Sequence, residues 1–395
     1  PYSNSPYDNG PYSPRTPAEP GRQTPREPVD PYAPTGLRTG GMLIFPEIAL
    51  RGGYTDNVTR SAGAKQSGTF TELEGGLDLR SNWSRHAFEG AIRGAYTSFH
   101  KSIGDDESLL NASGLATINI RRNTEATVGA SLDIQQEQGN RDTSTGFEAS
   151  LSHRINRVIA TLSGAIDWFT YSARSTATGS VAQDNVADYR SRELAGRLAY
   201  ELSPALTVYG QGSVNRRKFR TPVDTNGFRR GSDGYALTAG AELDFNTLLR
   251  GTVETGYQVQ RPNEPTFDNI DGMVFNADLT WAATPLTNIT FLFGTEFDET
   301  TTAGSPGSVR RNVGLGISHA LRRNLILNAD IGYADNRFKG TGPNETETTG
   351  AFGIEYLLGR NLALTADYTY YAFDSTTGGA AYSVNSFMIG LKLRK

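Results

Sequence analysis

From about Leu43 to the end of the chain, apolar and polar residues alternate at every second position. This period constrains the fold more than any other feature. In the segment 86–100, Phe88, Gly90, Ile92, Gly94 and Tyr96 fall on one face, and Glu89, Ala91, Arg93, Ala95 and Thr97 on the other. The segment 124–135 sets Ala126, Val128, Ala130, Leu132 and Ile134 against Glu125, Thr127, Ser131, Asp133 and Gln135. The segment 287–299 sets Ile289, Phe291, Phe293 and Phe297 against Thr290, Gly294, Glu296 and Asp298. Apolar residues at helical spacing are nowhere sustained. Successive side chains of a strand point to opposite faces, so each segment reads as a strand with one apolar and one polar face.

Eighteen such segments can be drawn, at 42–57, 68–80, 86–100, 108–121, 124–137, 145–154, 157–171, 188–200, 205–218, 234–245, 249–261, 271–282, 287–299, 309–320, 325–337, 346–358, 361–374 and 383–394. They run to roughly 10–14 residues, against about 5–6 in soluble sheets, and that length suits tilted membrane-spanning strands. The connections alternate between short turns, as near 121–123 and 283–286, and longer polar loops, as at 172–187 and 219–233. Hydrophobic residues are 37% of the 395 and mean hydropathy is -0.45. That is low for a chain this long with an apolar core, but it fits an apolar outer surface around a polar interior. No apolar run is long enough for a membrane-spanning helix. The pattern predicts an all-β fold: a single closed antiparallel transmembrane β-barrel of about 18 strands over 42–395, with both termini periplasmic.

One unit explains the short turns. "LATINIRRNTEATVGASLDI" at 115–134, "GISHALRRNLILNADIGYAD" at 316–335 and "GIEYLLGRNLALTADYTYYA" at 353–372 each hold two alternating runs joined by a basic turn ending in Asn. They read as transmembrane hairpins seen through their periplasmic turns, where long basic side chains reach lipid headgroups. Aromatics on the lipid-facing parity gather at both strand ends. Tyr54, Tyr96, Trp168, Tyr257, Phe297, Tyr333 and Tyr370 mark the external girdle; Tyr200, Phe245, Trp281 and Tyr356, with Trp83 in a turn, mark the periplasmic one.

The first 36 residues are different. They hold ten of the 18 prolines, and Pro-Tyr recurs at 1–2, 6–7, 11–12 and 31–32. Such a stretch cannot build a core. Residues 1–41 are expected to be a disordered periplasmic segment of a mature, exported chain, able to dock a periplasmic export component.

The stretch "FPEIALRGGYTDNVTRS" at 45–61 resembles the first strand of the putative β-barrel porin 2 family of Gram-negative outer-membrane proteins, with its Pro, its strand, then Tyr, Asp and Asn. The resemblance extends in architecture over about 42–395. It implies a porin-like channel in the cell outer membrane, and some relatives are linked to secretion of surface polysaccharide. The family has no catalytic motif to carry over. The C-terminal "FMIGLKLRK" departs from the terminal aromatic residue often seen in such barrels.

Residue chemistry agrees with a channel rather than an enzyme. There are no cysteines, and net charge is -4, which disfavours a nucleic-acid partner. His86, His100, His153 and His319 match no zinc motif, and Ser318 beside His319 points to the opposite face. "DNIDG" at 268–272 and "DTNG" at 224–227 lack the later Glu of a calcium loop. No cofactor is expected.

The candidate functional surface is the polar face itself. Glu72, Glu74, Asp78, Glu89, Asp133, Glu242, Asp244, Glu254, Glu296 and Asp298 fall on it, with Arg93 among the fewer bases. Inner-face acids outnumber bases roughly two to one. A barrel of this size encloses an aqueous channel, and charged rings on its wall set ionic preference. A second candidate is an external basic cluster, Arg216, Lys218, Arg220, Arg229 and Arg230, expected to contact lipopolysaccharide phosphates. The alternative is a plugged structural or adhesive barrel without transport.

Overall fold

The computed structural model describes residues 32–100, 104–171, 187–245, 248–300, 302–376 and 381–395. Eighteen long strands are found among them, preceded by a three-residue strand, β1 (Leu37–Thr39). The first half of the wall is β2 (Met42–Thr55), β3 (Gly68–Ser81), β4 (Ala87–Phe99), β5 (Glu107–Arg121), β6 (Thr124–Glu137), β7 (Asn140–Ile155), β8 (Val158–Tyr171), β9 (Tyr189–Ser203) and β10 (Leu206–Phe219). The second half is β11 (Ser232–Phe245), β12 (Leu249–Pro262), β13 (Ile270–Thr284), β14 (Thr287–Asp298), β15 (Ser308–Arg322), β16 (Leu325–Phe338), β17 (Asn344–Leu357), β18 (Leu362–Ser375) and β19 (Tyr382–Arg394).

Each strand from β2 to β19 pairs antiparallel with its neighbour in sequence, and β19 pairs with β2 to close the cylinder. A strand of 14 residues is about 46 Å long at ~3.3 Å per residue; tilted by roughly 40° it rises about 35 Å, enough to cross a bilayer core. The chain is therefore the all-β 18-strand barrel that the alternation predicts.

The closing seam is staggered. β19 reaches only Glu47 of β2, through the pair Glu47–Arg394, and β1 covers Met42–Ile44 beyond it. Pro46 sits in the gap between these two partners. Its carbonyl accepts from the Lys395 N–H at 3.1 Å, and its missing donor falls where no ladder bond is required. β1 lies inside the segment assigned to a disordered arm, so the ordered structure begins before residue 42; residues 1–31 lie outside the described residues.

The alternation has its expected faces. Leu50, Leu237 and Ile389 are 58%, 69% and 69% exposed on the outside of the cylinder, as lipid-facing side chains are. The aromatic girdle residues Tyr54, Tyr96, Trp168, Tyr257 and Tyr333 at the long-loop end, and Trp83, Tyr200, Phe245, Trp281 and Tyr356 at the other, are exposed on the same outer face. One predicted connection differs. β7 starts at Asn140, because Gln138 (φ 46) and Gly139 (φ 77) make a two-residue turn whose positive φ values match strand twist.

Candidate functional site

The opposite parity converges inside the cylinder. Strands two apart exchange side-chain contacts across the strand between them, as side chains converging on a concave face do. Arg51 on β2 lies 3.9 Å from Asp367 on β18, Arg93 on β4 lies 3.6 Å from Glu47 on β2, and Arg310 on β15 holds Glu347 on β17 at 2.9 Å. Arg197 on β9 pairs with Glu242 on β11, and its guanidinium lies 3.6 Å from the centre of the Tyr209 ring.

These contacts sort the wall acids into two groups. Glu72 and Glu74 are bound to Arg51, Asp78 to Arg93, and Glu242 to Arg197. Glu254 accepts from the Tyr209 hydroxyl at 3.1 Å. Asp244 sits at the short-turn end of β11, exposed, 3.1 Å from Arg250. Glu89 lies on the same inner face, opposite Arg80 in the ladder. By contrast, Asp133 on β6, Glu148 on β7 and Asp167 on β8 face the lumen on three consecutive strands with no basic side chain within 4.0 Å among the described residues. These three acids form a run of uncompensated negative charge on the neighbouring strands β6, β7 and β8. Arg310 and Glu347 belong to the wall but were not among the predicted residues.

Glu296 and Asp298 belong to a different feature. The β13–β14 ladder stops at Ala277–Phe293, although both strands continue. There the Thr295 hydroxyl takes over, donating to the Phe275 carbonyl at 3.2 Å, while the Asn276 side chain accepts from the Thr295 N–H at 3.1 Å. Beyond this point β14 parts from β13, while staying paired with β15 to Asp298–Ser308. Phe297, on the outward parity of β14, is only 3% exposed and packs with Ile270 and Val274, which face inward on β13. A Cβ added at inward-facing Gly272 would meet the Phe297 ring at 3.9 Å. The outer half of β14 thus lies inside β13, and Phe297 is not the girdle aromatic its parity predicts.

Distance supports the same placement. The Arg217 guanidinium on β10 donates to the Phe297 carbonyl at 2.7 Å and lies 3.2 Å from Glu299. β10 and β14 are four strand spacings apart, about 19 Å along the wall, whereas an arginine side chain reaches roughly 7 Å. Only a displaced β14 brings the two together. The loop 220–231 completes the hold. Arg230 donates to the Ser305 and Thr302 carbonyls at 2.8 and 3.1 Å, and Ser232 donates to Glu299 at 2.6 Å.

That use of Arg230 corrects one predicted role. Its side chain is 3% exposed, bound to Asp224, and lies against the Phe228 and Phe267 rings. It cannot present its charge to an external phosphate in this arrangement. Arg216, Lys218, Arg220 and Arg229 do stay exposed on the rim. The "DTNG" stretch is an Asx turn: Asp224 accepts from the Asn226 and Phe228 amides at 2.9 and 3.0 Å. His153 and His319 pair with Thr124 and Thr287 at 2.9 Å near the short-turn strand ends, and His100 lies between Thr69 and Thr71. Among the described residues, no group of three or more His, Cys, Asp or Glu side chains is arranged to hold a metal ion.

The family described as "Putative beta-barrel porin 2" matches residues 30–395. No curated protein matches significantly. Among solved structures, the outer membrane protein OpdK from Pseudomonas aeruginosa is 11% identical with a TM-score of 0.44, covering 89% of this chain and 99% of that one. The siderophore receptor PiuA from Acinetobacter baumannii is 9% identical with a TM-score of 0.46, covering 89% and 82%. The siderophore receptor PirA from P. aeruginosa is 9% identical with a TM-score of 0.41, covering 92% and 81%.

Proposed function

The chain belongs to the putative beta-barrel porin 2 family, and from that premise we propose that it is a water-filled, cation-preferring channel for polar solutes across the outer membrane. The carrying observation is the run of Asp133, Glu148 and Asp167 on neighbouring strands without basic partners. Low-dielectric walls focus the field of such a run into the lumen, raising cation concentration and lowering that of anions. Uncharged and cationic solutes suit this wall best. For export of surface polysaccharide, neutral or weakly charged glycans fit it better than strongly anionic ones. The function proposed is passive and not enzymatic.

The test is reconstitution in planar bilayers with reversal potentials under a potassium chloride gradient. A cation preference that grows as salt is lowered supports the reading, because screening weakens as the Debye length lengthens. Anion preference would overturn it, and a silent barrel would favour the plugged structural alternative.

A further inference from the structure

The sequence of the β14–β15 tip encodes one position while the structure holds it in another. Continuing the β13–β14 register past Ala277–Phe293 would pair Asn276 with Gly294, Phe275 with Thr295 and Met273 with Phe297. In that arrangement Phe297 and Val309 would face outward beside Met273 and Tyr257, at the height of the external aromatic girdle, and the β13 edge would be complete. Instead both side chains are buried inside the wall, 3% and 7% exposed, with Ile270 and Val274. The outer end of β13 has β12 as its ladder partner and none on the β14 side among the described residues. Gly294, the first residue past the last ladder pair, stands at the point of departure.

Polar contacts from across the lumen help keep the tip inward: Arg217 on Phe297 and Glu299, Arg230 on Thr302 and Ser305, Ser232 on Glu299. They add to the Phe297–Val309–Ile270–Val274 packing and the Thr295 bonds to β13, whereas the alternative gains backbone ladder bonds and lipid burial of Phe297. Two such packings of one segment form a bistable element. We infer that the outer half of β14, with residues 299–300 and 302–307 and the end of β15 paired to it (308–312), is a gate. Tucked inside β13 it narrows the external mouth; swung into the wall beside β13 it completes the ladder and widens the lumen.

The chain has no cysteine, so paired thiols report the position directly. Met273→Cys with Phe297→Cys can form a disulfide only when the tip is in the wall, because Met273 faces outward, 62% exposed, and tucked Phe297 lies on the inner face of β13. Ala277→Cys with Phe293→Cys, already directly paired, is the positive control. Oxidation is carried out in outer-membrane vesicles on barrels shown to be folded by heat-modifiable gel mobility. The 273–297 link is expected to form slowly in the parent chain and faster when Arg217→Ala and Arg230→Ala are added. Conductance should rise on oxidation and return on reduction. Absence of the 273–297 link in both backgrounds, with the control linking, overturns the gate. So does a link that forms without changing the conductance of a conducting barrel. The cross-link is read without ion flow, so a barrel that links but never conducts would refute the channel reading and leave the movement established.

Discussion

Arg51 and Glu72 stand directly opposite each other on β2 and β3, 2.8 Å apart, with side chains 6% and 5% exposed. Arg51 also binds Glu74 and approaches Asp367, so one cation on β2 organises acids from two other strands, β3 and β18, beside the closing seam. Removing one member of a buried pair strands the others and typically costs about 3–5 kcal/mol. Arg51→Met is expected to destabilise the barrel by that order, measured as a lower urea midpoint of tryptophan fluorescence in detergent micelles. Adding Glu72→Met should recover part of the loss. Equal stability of Arg51→Met and the parent would show that the seam does not depend on this hub.

Selectivity should follow the unpaired acids. Asp133→Asn, Glu148→Gln and Asp167→Asn together are expected to move the reversal potential toward that of a non-selective pore. Glu242→Gln is expected to weaken cation preference less, because it changes the wall charge by one unit, leaving Arg197 uncompensated, where the triple variant changes it by three. An unchanged potential in the triple variant would place the selectivity elsewhere.

The rim makes a separate prediction. Arg216 and Arg220 are 70% exposed at their side chains, and Lys218 and Arg229 are exposed as well. We expect Gln at all four positions to reduce lipopolysaccharide recovered per purified barrel, since clustered cations hold phosphates by charge-assisted bonds. Arg230→Gln should leave that ratio unchanged and instead loosen the loop, seen as faster proteolysis within 220–231.

The loop has a pH dependence of definite sign. Burial alone would raise the Asp224 carboxyl, but the Arg230 guanidinium and the Phe228 and Asn226 amides outweigh it and hold it below the usual Asp value. A depressed folded value gives stability that is complete above the ordinary Asp pKa of about 3.9 and lost only as pH falls through the lower folded one. Protease resistance of 220–231 should therefore persist at pH 5 and fail only under strongly acidic conditions. Loss of protection already near neutral pH would mean that another group holds the loop.

Alternation made the wall legible because a strand's two faces meet solvents of opposite character: lipid outside, water inside. Strand ends agree closely, as at Thr124–Glu137 and Leu325–Phe338. The same rule misplaces Phe297, since parity tells which face a residue would show in the wall but not whether the strand stays there. Arg310 was missed because Arg311 follows it, and two arginines in a row carry no alternation. Arg230 was misjudged because a loop has no period: its partners, Asp224 and the carbonyls of 302 and 305, are set by loop packing that composition does not encode.

The closing seam has a kinetic consequence. Every pairing but one joins strands adjacent in the chain, which hairpins can zip locally; Glu47–Arg394 alone joins positions 394 - 47 = 347 apart. Closure entropy grows by only about 0.6 kcal/mol per doubling of the loop, so this last step is thermodynamically mild, yet it cannot begin until all other strands are made. Until then the chain is an open curl with β2 and β19 as raw edges, the form in which it could pair with a second chain and aggregate. β1, folded back on the start of β2, leaves less of that edge bare while β19 is awaited.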